Sequence, residues 1–168
     1  MSSLEHGVRR VDRLMDDAQA RAYLQAGEIG YIGTVGADGW PYVLPMTFIY
    51  EGQDVLWFHH GAKPGHLLAN LTQSPRICLT VAERGNLIPG PTYACQSSQE
   101  YVSVVAYGQV ERIEEESLKN WFFDQLLLKY GPTGHRFPDP SYPLNHKIIL
   151  WKMHLEKLTG KRSDQGRH

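Results

Sequence analysis

The sequence predicts a mainly β fold, a β-barrel of six antiparallel strands with a few helices. Three observations predict it. Most apolar runs are strand-length and separated by Gly, Pro or Asp-Gly turns, helical periodicity is confined to a few stretches, and one late strand is long. A sheet this size carries exposed edges unless it closes on itself, so closure is the expected architecture.

The elements follow in order. Residues 1–13 are polar and read as a flexible N-terminus. Asp16 can cap a helix with Gln19 at the capping-box position, and the helix should end at Gly27, where a left-handed residue costs little. Ile29–Val35 is a first strand and Ala37-Asp38-Gly39 a tight hairpin turn. Trp40–Tyr50 is one returning strand, with Pro41 and Pro45 marking an edge, bend or bulge. Glu51-Gly52 turns into a third strand, Asp54–His60.

A glycine-bearing loop, Gly61–His66, then feeds a short helix over Leu67–Leu71 that Ser74-Pro75 ends. Arg76–Val81 is strand four, and 85–97 is a Gly/Pro-rich excursion. Tyr101–Ile113 is the long strand, and Glu114-Glu115-Glu116 opens a helix reaching Tyr130, with Trp121, Phe122 and Phe123 as core. Residues 131–143 form a loop, Ile149–Leu155 alternates as a half-buried sixth strand, and the tail from Gly160 should fray. One domain over 14–160 with a polar tail at 161–168 is the expected organisation.

Composition narrows the functional classes. The chain has 168 residues, 42% apolar and 21% charged, and a formal net charge of -1. That balance gives no electrostatic case for nucleic acid or an anionic membrane. No apolar run can span a bilayer as a helix, and the N-terminal residues lack a secretory signal's apolar stretch. With only Cys78 and Cys95, both read as reduced and inert, a cytoplasmic protein is expected.

The unit from His59 to Asn70 is the main candidate for chemistry. A helix N-terminus offers unpaired amides and partial positive charge, which suits phosphate. Gly61 and Gly65 permit close approach, while Lys63, His66 and His60 can add charged hydrogen bonds. The plainer alternative is a loop-to-helix junction with solvated polar groups. The glycines at 30, 33, 36 and 39 precede a hairpin rather than a crossover helix, so they are not a dinucleotide fingerprint. His59 and His60 are strand neighbours pointing to opposite faces, and no metal site is expected. His135, His146 and His154 read as surface residues. Tyr101, Ser103 and Tyr107 share a face that suits a ligand wall or a subunit interface.

Taken together these residues resemble the pyridoxamine 5'-phosphate oxidase-like FMN-binding split barrels, in the branch that includes the nitroimidazole-resistance proteins. The resemblance covers about residues 12–160. It is carried by Thr34-Val35 through Pro45, by Phe58–Asn70, by Pro75-Arg76-Ile77-Cys78, by Tyr101, Ser103, Val104 and Gly108, and by Leu158-Thr159-Gly160-Lys161. It implies FMN stacked along the second strand against Pro45, Met46, Thr47 and Phe48. His60, Gly61, Gly65 and His66 would surround the phosphate, and Ser103 would come from the second subunit of a homodimer. The family's phosphate-pairing lysine is Leu67 here, which implies either a weaker hold on the phosphate or that Lys63 and His66 take over the role.

The function so implied is an FMN-dependent oxidoreductase passing electrons from a reduced nicotinamide to a small molecule, for instance a nitroaromatic. His60 is the candidate catalytic residue. The arginine-rich substrate motif of true pyridoxamine-phosphate oxidation is not seen near the C-terminus. The alternative is a non-catalytic flavin- or haem-binding protein on the same barrel, or one that uses a deazaflavin.

Overall fold

The computed structural model describes residues 7–132 and 142–163. The chain runs α1 (Asp17–Ala26), β1 (Gly30–Val35), β2 (Pro41–Met46), β3 (Ile49–Gly52), β4 (Val55–Gly61) and α2 (His66–Gln73), then β5 (Arg76–Ile88), β6 (Ser98–Ile113), α3 (Glu116–Tyr130) and β7 (Ile148–Ser163). All named pairings are antiparallel in one sheet of order β2-β1-β5-β6-β7-β4-β3.

The fold is mainly β as expected, with seven strands rather than six. The extra strand comes from the run expected as Trp40–Tyr50. Its first part pairs with β1, Met46 opposite Gly30, and its second with β4, Ile49 opposite Trp57. Thr47 and Phe48 lie between, outside either ladder. One stretch of chain therefore supplies both ends of the sheet, and the barrel closes through its backbone. Pro41 and Pro45, expected to mark an edge, bend or bulge, both lie in β2 at one end of the sheet order, and the change of partner follows at Thr47–Phe48.

Alternation sorts the side chains. Ile32, Leu56, Phe58, Leu79, Val104, Ala106, Trp151 and Met153 fill the barrel, joined by Ala20 and Leu24 of α1 and by Leu67 and Leu71 of α2. A second cluster lies between α3 and the opposite face of β3, β4 and β7, with Ile49, Trp57, Phe122 and Leu150 at its centre. Trp121 and Phe123 pack against it, as the reading of that helix as core requires.

Several local expectations hold. The Asp16 carboxylate accepts from the Gln19 amide at 2.7 Å while the Gln19 side chain accepts from the Asp16 amide at 3.3 Å, a complete capping box. Gly39 takes a φ of 81° in the hairpin turn. Others need correction. Gly27 ends α1 with φ -62°, so left-handedness does not select it. A Cβ there would meet Val81 Cγ1 at 2.7 Å, and close packing is the reason instead.

The 85–97 excursion is partly strand, since Leu87 pairs with Gln99 and Ile88 with Ser98 beyond an irregularity. The tail expected to fray from Gly160 stays in β7 to Ser163, opposite Tyr101, because the long strand β6 offers partners that far. The Gly160 carbonyl also accepts from the Met15 amide at 3.0 Å, which ties down the segment before α1. Most of the 131–143 loop, including His135, lies outside the described residues, as do 1–6 and 164–168. Among the described residues no helix is long and apolar enough to cross a membrane.

Candidate functional site

The loop Ala62–Gly65 delivers the chain from β4 to α2 at the tip of the β1–β2 hairpin. Gly65 caps α2 with no side-chain acceptor, so the first amides of the helix have no partner within it. Lys63, Gly65 and His66 are exposed, and a Cβ added at Gly61 or Gly65 would meet nothing within 4 Å. The corner is open to an incoming group.

A buried polar chain fixes α2 to the hairpin. Asn70 donates to Thr34 Oγ1 at 2.9 Å, and Thr34 Oγ1 donates to the Tyr42 carbonyl at 3.4 Å. The His66 ring meets the Tyr42 ring edge-on at 5.3 Å. Between helix and hairpin lies a cavity of about 480 Å³ lined by Gly36, Asp38, Trp40, Tyr42, His66 and Asn70 among others. The Asp38 carboxylate accepts from the Trp40 amide at 3.1 Å, so the hairpin wall is the negative side and the helix end the positive one. Sequence reasoning singled out His66 but not Thr34, Asp38 or Trp40 as lining or bracing residues. Asn70 ends the motif that carries the resemblance, and its burial explains its place there.

The other expected site residues are spread more widely. Leu67 is buried in the barrel core, so the position that carries the family lysine points inward here. Along Pro45–Phe48 the pleat splits the set. Pro45 and Thr47 are exposed, Met46 packs against the core and Phe48 is wholly buried. The side chains of Met46 and Phe48 therefore do not face outward with the rest. Phe48 is also gripped from α3: its amide donates to Tyr130 Oη at 3.2 Å, and its carbonyl lies 2.9 Å from that hydroxyl and accepts from Lys129 Nζ at 3.2 Å. Nothing in the sequence pattern pointed to this clamp.

His60 lies on the barrel side of β4, stacked on Trp151. Its Nε2 accepts from Trp151 Nε1 at 2.9 Å, which places the proton on Nδ1, 2.8 Å from the Gly61 carbonyl. Burial holds its pKa below the ordinary histidine value, with Arg112 adding to the effect and the Gly61 hydrogen bond opposing it. Both ring nitrogens are thus engaged within the protein, the setting of a structural acceptor. His59 points the other way, its ring against Phe122 and Phe123 with Nδ1 buried and without a hydrogen-bond partner among the described residues. His154 sits with Nε2 2.9 Å from Glu111 Oε1, and Cys78 and Cys95 are free thiols, Cys95 exposed.

Ser103 sits on the outer face of β6, opposite Ala82 of β5 and Lys161 of β7. On the neighbouring row of that face Val105 faces Thr80, Thr80 faces Tyr31, and Tyr31 faces Pro45. Three strand spacings of ~4.8 Å separate Pro45 from this position, about 14 Å along the sheet. Pro45 and Ser103 of one chain are thus far apart on a shared face. That face is apolar at its β1–β2 end, where Tyr31, Val35 and Val43 are all about half exposed or more.

The profile of the family described as Pyridoxamine 5'-phosphate oxidase matches residues 16–162. The chain belongs to that family. Its barrel is similar to several solved structures. A protein from Bacteroides thetaiotaomicron VPI-5482 assigned to 5-nitroimidazole antibiotic resistance is 26% identical, with 90% of each chain covered and a TM-score of 0.72. The flavocytochrome Anf3 from Azotobacter vinelandii is 20% identical over 97% of this chain and 75% of that one, with a TM-score of 0.81. An FAD- and haem-binding protein from Mycobacterium smegmatis is 18% identical over 89% and 72%, with a TM-score of 0.72. No curated protein matches the chain. The family membership places the β1–β2 hairpin, the following loop and α2 within the matched region, so the corner just described belongs to the family's part of the chain.

Proposed function

We propose that the chain binds FMN between two copies of itself and serves as a flavin-dependent oxidoreductase for a small molecule, a nitroaromatic being one candidate class. The observation that carries this reading is the open N-terminus of α2. Its first amides, the exposed Lys63 and His66 and the uncrowded Gly61 and Gly65 form an anion-friendly corner, and His66 also lines the cavity beside the hairpin. The solved structures it resembles include proteins described as binding flavin, and a fold match of this kind supports the class of cofactor.

The residues present fit the group in part. Backbone amides at His66, Leu67 and Leu68, with Lys63 and His66, would hold the phosphate, since Leu67 faces the core. Pro45, Thr47 and the backbone between them would flank the ring system, and Ser103 would reach it only from the second copy. The exposed apolar surface of Tyr31, Val35 and Val43 would bury itself in that pairing. Bound there, FMN would supply the electron transfer, and the protein's part is to position it and exclude water. His60 would hold Trp151 in place rather than move a proton.

Parallel titrations of the purified protein with FMN and riboflavin test the reading. FMN should bind at least about tenfold more tightly, the value of one charge-assisted contact set. Equal affinities would remove the phosphate assignment. A Soret band on haem addition, or preference for a deazaflavin, would replace the cofactor while leaving the fold intact.

A further inference from the structure

The cavity of about 480 Å³ between the β1–β2 hairpin and α2 is of ordinary size for a small-ligand site. One part of its wall is made of oxygens. The point beside the Gly36 α-carbon where any other residue would carry its Cβ lies 2.8 Å from Asp38 Oδ1, 3.4 Å from Asn70 Oδ1 and 3.7 Å from the Trp40 carbonyl. The donors beside these oxygens are spent. Asn70 Nδ2 goes to Thr34, the Gly36 amide to the Trp40 carbonyl at 2.9 Å, and the Trp40 amide to Asp38. Asn70 is only 8% exposed yet lines the cavity, and its Oδ1 accepts no hydrogen bond among the described residues. A carboxylate has about four acceptor sites, and the Trp40 amide occupies one of those on Asp38.

We propose that this cavity takes the adenine end of a nucleotide, with the amino group donating to Asp38 and Asn70 and the phosphate turned to the α2 corner. Acceptors whose neighbouring donors are spent select a ring edge that donates. A 6-amino purine has such an edge, whereas a 6-oxo purine would set its carbonyl against a carboxylate. Trp40 and Tyr42 line the cavity and offer ring surface to a flat base, and a two-ring purine covers more of it than a pyrimidine does. His66 lines the same cavity and begins α2, so base and phosphate are served from opposite walls. The placing of the phosphate rests on the anion corner of the flavin reading; the placing of the base does not. The adenine nucleotide is either free or one half of a dinucleotide.

Gly36 keeps the space open. A methyl group there would come closer to Asp38 Oδ1 than carbon and oxygen tolerate and would stand in front of Asn70 Oδ1. A hydrogen bond to a charged group that AMP makes and IMP cannot is worth about tenfold in affinity or more.

The experiment follows tryptophan fluorescence of the flavin-free protein during titration with AMP and, separately, with IMP. AMP should bind at least about tenfold more tightly than IMP, and the signal should vanish in Trp40→Phe. Asp38→Ala should erase the preference for AMP, and Gly36→Ala, which fills the space, should abolish AMP binding. The wild-type comparison of AMP with IMP decides the matter even where a variant folds poorly. AMP that displaces bound FMN marks a free nucleotide as the occupant, whereas FAD binding at least about tenfold more tightly than FMN marks a dinucleotide. Equal affinities for AMP and IMP, or no response to AMP, overturn the proposal. A preference for AMP alongside equal FMN and riboflavin affinities fails the flavin reading alone, and the reverse pair of results fails this one alone.

Discussion

The start and the middle of the run Pro41–Gly52 are built on opposite terms. At the start, beside α2, polar groups are left open: helix amides without partners, exposed Lys63 and His66, uncrowded Gly61 and Gly65. At Thr47–Phe48 the backbone amide and carbonyl of Phe48 are both taken by α3 and the ring is wholly buried. The difference separates recognition from stability along one stretch of chain. Unsatisfied groups are tolerable at the hairpin end because water or a ligand can reach them, whereas at the change of partner an open backbone group would be stranded.

The comparison is broken most directly at Phe48. Phe48→Ala should cost ~3–5 kcal/mol by cavity formation, read from urea unfolding. A loss below ~1 kcal/mol would show that the clamp is not a stabilising centre. Tyr130→Phe keeps the ring and removes only the hydroxyl that meets the Phe48 amide and the Glu28 carbonyl, 2.8 Å away. It should cost ~1–3 kcal/mol, and no change would mean water replaces the hydroxyl without penalty.

A pH series comes next. Burial lowers the pKa of His59, with His60 adding to it, and burial likewise lowers that of His60. As pH falls below about 6.5 the unfolded chain takes up these protons before the folded one. Stability is therefore full above that value and declines as pH drops toward the folded values. His59→Leu should flatten the decline, since its ring sits among Phe122 and Phe123 with Nδ1 lacking a hydrogen-bond partner among the described residues. An unaltered slope would place the effect elsewhere.

The smallest effect on stability is expected at the open end. Lys63→Ala with His66→Ala should shift unfolding by no more than ~0.5 kcal/mol. The same pair should weaken FMN by about ten- to a hundredfold, and unchanged flavin affinity would assign the phosphate to another corner.

Most of the fold was legible because its signals are local. The Asp16–Gln19 box, the Asp38-Gly39 turn and the alternation in β7 each depend on neighbours in sequence. The change of partner at Thr47–Phe48 is hidden in the single strand expected over Trp40–Tyr50, since the reason for it lies in β1 and β4, which no local pattern names. Strand ends failed for the same cause: polarity suggested that Gly160–Ser163 would fray, but β6 decides. At the candidate site the loop and helix start could be read from glycines and charges. The inward pointing of Leu67, the double engagement of His60 and the α3 clamp on Phe48 could not, because each is a tertiary contact between residues far apart in the chain.

The grip of Tyr130 on Phe48 has a consequence for how motion in this protein can be observed. The Phe48 amide lies outside both flanking ladders, and its hydrogen is shielded by a phenol from a helix 82 residues away in sequence. Its exchange with deuterated solvent is thus a gauge of α3 undocking alone: slow while the helix is seated, fast in any excursion that lifts it, even with every strand still paired.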